Sequence, residues 1–307
     1  MPTPVPGPRE VLVRIMASTV SAGDSRVRAL RLPRGMATIG RLALGLRGPR
    51  VKVLGTDFAG VVVATGARVT RFAVGDRVIG FPGAAFGCHA EYRAMAESGD
   101  LEPMPAKLSF EEAASLLFGG MTALHFLRAG AVRPGQRMLV VGASGAVGSA
   151  LVQLGRVFGA EVTGVTSTAN LGLVAGLGAQ HVVDYTASDI LRSGERFDIV
   201  ADAVGAVTFA GYRPLLRPGG RMLAVAGAVP DLLAMAWAPL CGRRVIAGPA
   251  TSRPGDLAQL AGWATQGVLR PVIDRCYAMA EIAAAHAHVD GGHKRGSVVL
   301  QMPAPAP

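Results

Sequence analysis

Cysteine is scarce in this sequence. Cys88, Cys241 and Cys276 are far apart and never form a C-x-x-C pair, so they make no structural zinc site by themselves. Their odd number argues against a disulfide framework, and reduced, partly buried thiols are the simplest reading. Lysine is scarcer relative to arginine. Only Lys52, Lys107 and Lys294 occur, so the net charge of +10 is carried almost entirely by arginine. No zinc-finger or RNA-binding signature accompanies that charge, and no nucleic-acid partner is expected. Acidic residues are missing altogether between Asp24 and Asp57, where Arg26, Arg28, Arg31, Arg34, Arg41, Arg47, Arg50 and Lys52 alternate with leucines. That stretch reads either as a solvated excursion or as an amphipathic surface for anionic lipid or a partner. No secretory signal is visible. The one long apolar run, Met222–Gly242, is interrupted by Asp231, Pro230 and Pro239. A buried strand, a loop and a short helix explain it better than a membrane span, and a cytoplasmic protein is expected.

What is present points to an α/β protein. The 41 glycines have no period, and half of the 307 residues are hydrophobic, enough to bury a large core in one or two domains. The middle of the chain alternates short apolar strands with helices: Arg137–Val141, a glycine-rich turn, a helix from about Val147 to Phe158, a strand at Glu161–Thr166, a helix at Leu171–Leu177, then strands near His181, Asp198, Arg221 and Arg244. Six strands in that order fit a Rossmann doubly wound parallel sheet. The first hundred residues read differently. Strands at Val11–Ile15, Gly60–Ala64 and Asp76–Gly80 lie between glycine and proline turns and make a β-rich unit. The strand Ser297–Leu300, near the C-terminus, is expected to return to it.

The turn Gly142-Ala143-Ser144-Gly145-Ala146-Val147-Gly148 follows a strand and opens a helix. Ala143, Gly145 and Gly148 take the three positions of the dinucleotide fingerprint, with alanine in place of the first glycine. Small residues there let backbone amides at a helix start approach a pyrophosphate. Glycine-rich strand–helix turns also arise for packing alone, so the following strand has to decide. An NAD site places an acid at its end. Here it ends Val165-Thr166-Ser167-Thr168-Ala169-Asn170, with hydroxyls and an amide that can donate to a 2′-phosphate. NADPH is therefore expected over NADH.

At this point the sequence resembles the zinc-independent quinone oxidoreductase branch of the medium-chain dehydrogenase/reductase superfamily. The resemblance rests on Gly7-Pro8-Arg9-Glu10-Val11-Leu12-Val13-Arg14, Leu54-Gly55-Thr56-Asp57-Phe58-Ala59-Gly60, Phe72–Val78, Leu108–Ala114, Gly119–Ala123, the glycine turn, Asp184-Tyr185, Leu216–Gly220 and Gly291–Gly296. It implies a GroES-like catalytic domain (1–106 and 268–307, β-rich), a Rossmann domain (107–267), and nicotinamide and substrate held in a cleft. By family position Thr122 contacts the nicotinamide end; Ser167, Asn170 and Tyr185 lie at the adenosine end; Val204, Gly205, Ala226 and Gly227 line the dinucleotide. Thr122 could instead cap a helix and Tyr185 could simply pack. A homodimer is expected.

Zinc-dependent relatives carry a Cys and a His where this sequence has Ser21, before Asp24, and Thr56, before Asp57. Neither hydroxyl is a credible zinc ligand, so no metal is expected. A quinone or small carbonyl substrate must then be polarised by hydrogen bonds, with Ser21 and Asp24 as the candidates. Reduction of a conjugated carbon–carbon double bond, or cofactor binding without turnover, are the alternatives. Relatives usually open with one more strand before the proline-rich run in which this sequence starts. Either that strand is lost, which would expose a sheet edge, or the true start lies upstream.

Overall fold

The computed structural model describes residues 2–30 and 51–303. Of the arginine-rich stretch, Arg26, Arg28 and Lys52 are included. Arg31, Arg34, Arg41, Arg47 and Arg50 lie outside the described residues, and with them the proposed amphipathic surface. The described residues divide into two compact units, one holding those up to Phe118 and from Arg253 onward, the other Gly119–Ser252.

The first unit is built on β1 (Glu10–Val20), longer than its apolar run because it continues through Met16–Thr19. Helix α1 (Ala22–Arg28) follows, then β2 (Phe58–Thr65), β3 (Arg77–Gly80), β4 (Tyr92–Ala96) and β5 (Leu101–Pro103). β4 and β5 are too short and mixed in polarity to show the period-two alternation that betrays a half-buried strand. β1 is the hub. It pairs antiparallel with β2, with β4, and with the returning strand β13 (Ser297–Gln301), where Thr19 faces Val299. Alternate residues Val11, Val13 and Ile15 point inward and pack with Phe58, Val62, Val78, Leu101, Val298 and Leu300, all of them buried.

Helix α2 (Phe110–Ala129) leads into the second unit. There β6 (Arg137–Val141), α3 (Ala146–Val157), β7 (Glu161–Thr166), α4 (Leu171–Gly176) and β8 (His181–Asp184) run out to one side. The chain then jumps back to β9 (Phe197–Asp202), the four-residue α5 (Phe209–Tyr212), β10 (Leu216–Ala224), α6 (Val229–Trp237) and β11 (Arg244–Ala247) on the other. The sheet order is β11-β10-β9-β6-β7-β8, every pair parallel. Met138, Leu139 and Val140 of β6 are fully buried, as a central parallel strand covered on both faces requires. Pro218-Gly219-Gly220, expected as a turn before a strand, is an irregularity inside β10. Gly219 takes φ +76° and the pairing with β9 skips from Leu216 to Arg221. Helix α7 (Asp256–Thr265), β12 (Ile273–Ala278) and helix α8 (Ile282–Asp290) belong to the first unit, and β12 extends its sheet beside β13.

Candidate active site

In the second unit the expected cofactor residues follow the C-terminal ends of β6 to β10, which in a parallel sheet is one edge. The direction of winding reverses between β6 and β9, and such a switch point is where doubly wound sheets bind ligands. Gly142 makes the turn with φ +75°, and a Cβ on it would run into the side chain of Val204. A Cβ on Gly148 would collide with the backbone of Gly142 and Ala143, so that glycine is required for close packing of helix on turn. Gly145 is different. It caps α3 with extended backbone at φ −75°, offers no side-chain cap, and a Cβ there would meet only Gly142 O at an ordinary 3.5 Å. The first amides of α3 therefore point outward past open space, where the helix dipole is positive.

Around this turn the other residues are fixed by hydrogen bonds. Thr166 Oγ1 donates to Ser144 Oγ at 2.9 Å, tying the turn to the end of β7. Ala143 is buried against β7, beside Gly164. A Cβ on Gly119 would strike the carbonyl of Ala146, so α2 touches the start of α3 backbone to backbone. Thr122, one turn on and on the same helix face, is buried inside α2 and caps nothing. Asn170 Nδ2 donates to Ser167 Oγ at 3.1 Å, while Tyr185 is 55% exposed and does not pack into the core.

Asp202, at the end of β9, was not singled out from the sequence. Its buried carboxylate accepts from the amides of Val204, Gly205 and Ala206 at 2.8–3.0 Å and from Tyr212 Oη at 3.2 Å. Its own carbonyl accepts from Val225 and Ala226. One residue thus shapes both loops that carry Val204, Gly205, Ala226 and Gly227. Burial, and then the negative Asp202, push the Tyr212 hydroxyl far above its usual range, so it remains a donor.

In the first unit Ser21 ends β1 and caps α1. Its Oγ donates to Asp24 Oδ2 at 2.6 Å and accepts from Asp24 N at 3.1 Å, while Ser21 N donates to the same Oδ2 at 2.9 Å. The other oxygen of the fully buried Asp24 takes Gly55 N at 2.9 Å. The two residues do come together, in a capping box that spends the hydrogen of Ser21 on Asp24. Gly55, at φ +89°, lies hard against Cys88 and His89, which leaves no room for a Cβ. Next to it, Asp57 receives Thr19 N at 2.9 Å and Thr19 Oγ1 at 2.7 Å. Burial pushes its carboxyl up to about 8 against those two bonds, with the charge of Asp24 adding to the rise.

Among the buried polar atoms of this unit that lack partners are Thr56 Oγ1, His89 Nδ1 and His286 Nδ1, beside the Nε atoms of Arg14 and Arg93. The two imidazoles meet edge to face at 5.9 Å. His89 Nε2 lies 2.9 Å from the carbonyl of Thr19, which can only accept, so Nε2 carries a hydrogen. His286 is held below the usual histidine range by burial first, then by Arg28 and His89. An orphaned buried polar atom costs about 1–3 kcal/mol, so each calls for a strained, chemical or water-binding role. No sequence spacing signals this cluster, because residues 19, 56, 89 and 286 converge only through the sheet.

Comparison with known proteins gives this geometry a family. Residues 7–106 match the alcohol dehydrogenase GroES-like domain and residues 177–300 the zinc-binding dehydrogenase domain. A 2-methylene-furan-3-one reductase of Solanum lycopersicum is 32% identical over 95% of this chain and 71% of its own. The chain belongs to the medium-chain dehydrogenase/reductase superfamily. Its relatives there include a chloroplastic quinone-oxidoreductase homolog of Spinacia oleracea, 29% identical over 97% of this chain and 92% of that one. The quinone oxidoreductase of Coxiella burnetii superposes with a TM-score of 0.84 at 27% identity, covering 99% and 93% of the two chains. The chain is thus a quinone oxidoreductase-like oxidoreductase by family, with the two-part α/β fold expected of it. Although one matching domain is named for zinc, no group of three or more His, Cys, Asp or Glu among the described residues could hold a metal ion. No helix among them is long and apolar enough to cross a membrane.

Proposed function

We propose that this protein is an NADPH-dependent, zinc-independent oxidoreductase that transfers hydride to a quinone or small carbonyl compound, acting as a cytoplasmic homodimer. The observation that carries the proposal is the uncapped start of α3 at the switch point, open at Gly145 and walled by Gly142 and Gly148. Such a cradle suits a pyrophosphate, which the amides of Ala146, Val147 and Gly148 would hold while Ser144 keeps the turn in register. Ser167, Asn170 and Tyr185 would take the adenosine end. Thr122, Val204, Gly205, Ala226 and Gly227 would line the rest, the last four shaped by Asp202. When bound, the dinucleotide supplies the hydride.

The substrate oxygen needs a donor as it gains negative charge. Ser21 has committed its hydrogen to Asp24. Thr56 Oγ1 has no partner, so its hydrogen is free, and Ser21 with Asp24 fixes the backbone of Gly55 that leads into it. For assembly, β11 is one of the two edge strands of the parallel sheet, and α6, packed beside it, exposes Leu233, Met235 and Trp237. These features support a second copy as the neighbour.

Reduction of a conjugated carbon–carbon double bond is the second reading, favoured by the names of the tomato reductase and of an NADPH-dependent alkenal/one oxidoreductase of Arabidopsis thaliana, 30% identical. Steady-state NADPH oxidation over a panel of quinones and enones separates the two. Turnover of quinones supports the proposal, turnover of enones alone supports the second reading, and NADPH binding without turnover of any of them contradicts both. Ser167→Asp tests the cofactor. An acid there repels a 2′-phosphate and accepts from a ribose hydroxyl, so at about 1–2 kcal/mol for the combined change the NADPH-to-NADH affinity ratio falls about five- to thirty-fold. A ratio that does not move under calorimetric titration would remove Ser167 from the site.

A further inference from the structure

Two loops leave the outer end of the parallel sheet, residues 167–170 after β7 and 185–189 after β8. The strands pair with Thr166 opposite Asp184, and Tyr185 N donates to the Thr166 carbonyl at 3.1 Å, so the loops start side by side. The Asp184 carboxylate stitches them together. Oδ2 accepts from Thr168 Oγ1 at 2.5 Å, and Oδ1 accepts from Thr186 N at 2.9 Å and Thr186 Oγ1 at 2.7 Å. These bonds hold the carboxyl below the usual aspartate range, so it is charged wherever a 2′-phosphate is. Neither loop contains a lysine or arginine: one reads Ser-Thr-Ala-Asn, the other Tyr-Thr-Ala-Ser-Asp. The acid of the second, Asp189, is paired with Arg192 at 3.4 Å.

We propose that Asp184 is a specificity residue that limits recognition of the 2′-phosphate and keeps the affinities for NADPH and NADH close together. This rests on Ser167, Asn170 and Tyr185 forming the adenosine end. The donors that attract a phosphate there are neutral, a hydroxyl and an amide, and each already shares a hydrogen bond with the other. The residue next to Ser167, Thr168, is hydrogen-bonded to a fixed negative charge. A dianionic phosphate at Ser167 therefore sits within a Debye length of a carboxylate, with no cation in either loop to offset it. The acid that favours NADH stands at the end of β7, where it meets the ribose hydroxyl. Asp184 stands at the end of the neighbouring strand and is already occupied by two threonines. It penalises one cofactor without assisting the other.

Asp184→Asn removes the charge and keeps the stitch. The amide oxygen can still accept from Thr186, and the amide nitrogen can donate to Thr168 Oγ1, which also accepts. Calorimetric titration needs no turnover and uses four probes: NADPH, NADH, adenosine 2′,5′-bisphosphate and ADP. The variant should bind NADPH and the 2′,5′-bisphosphate about three- to ten-fold more tightly, with NADH and ADP within two-fold of the parent. The gain should shrink at about 0.5 M salt, where the Debye length is a few ångströms. Unchanged or weaker NADPH binding would overturn the proposal. Thr168→Val serves as the second variant, losing part of the stitch but keeping the charge. It should show no NADPH gain, and a gain equal to that of Asp184→Asn would make loop mobility the cause and overturn the proposal as well. If neither dinucleotide binds the parent, the cofactor reading fails and takes this inference with it. If both bind and Asp184→Asn changes nothing, this inference alone fails.

Discussion

Gly145→Val should fold, melt within a few degrees of the parent and bind no dinucleotide. The fold tolerates the change because Gly145 sits at φ −75° with extended backbone, and the nearest atom to a new Cβ is Gly142 O at 3.5 Å. Binding does not tolerate it, because that open space is where phosphate oxygens must reach the amides of α3. A valine's three carbons would fill it, and losing several charge-assisted hydrogen bonds at about 1.5–3 kcal/mol each takes affinity below detection. Gly148 is the internal control. A Cβ there is driven into the backbone of Gly142 and Ala143, so Gly148→Val should cost about 1–3 kcal/mol or more of stability as well as binding. Nicotinamide fluorescence titrations beside thermal melts check both. Parent-like NADPH affinity in Gly145→Val would mean that the turn holds no pyrophosphate.

Asp57→Asn should stabilise the protein at pH 8 and leave it unchanged near pH 4. In the folded state burial keeps the Asp57 proton on up to about pH 8, whereas an unfolded aspartate releases it near 4. Between those values the unfolded chain binds fewer protons than the folded one, so the parent loses stability as pH rises. The part of its stability owed to the protonated carboxyl is complete below pH 4 and gone above about 8. Asparagine reproduces the protonated form without titrating. Its oxygen can accept from Thr19 N and its amide can donate to Thr19 Oγ1, the two atoms that Asp57 meets now. The gap between the proteins should open through that window to on the order of 2–4 kcal/mol at pH 8. Urea unfolding from pH 4 to 8.5 measures it. An Asn variant that is less stable than the parent at pH 8 would show that the folded carboxylate is ionised.

The second unit could be read from sequence almost element by element, because fully buried parallel strands are short continuous apolar runs and the turns between them carry glycine. β6, β7 and β11 end where the runs end. The first unit was less legible. β4 and β5 mix polar and apolar residues, and β12 is exposed along much of its length, so none shows a period. α2 was missed because it is apolar nearly all round, which leaves no stripe to detect. In the candidate site, the glycine turn announced itself through residue type. Asp202 and Asp184 did not, since their work is to hold loops through backbone amides and threonine hydroxyls that only the folded strands bring near. The arrangement of Thr56, His89 and His286 was invisible for the same reason. Ser21 and Asp24 were found from family position, but only the hydrogen-bond geometry shows that their polar atoms are spent on each other and on Gly55.

The most direct test of the account is transfer of isotope in metal-free protein. With NADPH deuterated at the transferred position, and a quinone or enone that the panel shows to be reduced, product should form at the parent rate after treatment with strong chelator. Because hydride on a quinone oxygen exchanges with water, the enone product is the one to examine by mass spectrometry. It should carry one deuterium, and elemental analysis should find no stoichiometric zinc. Product without deuterium, or one zinc per chain lost together with activity, would contradict hydride transfer by this chain without metal.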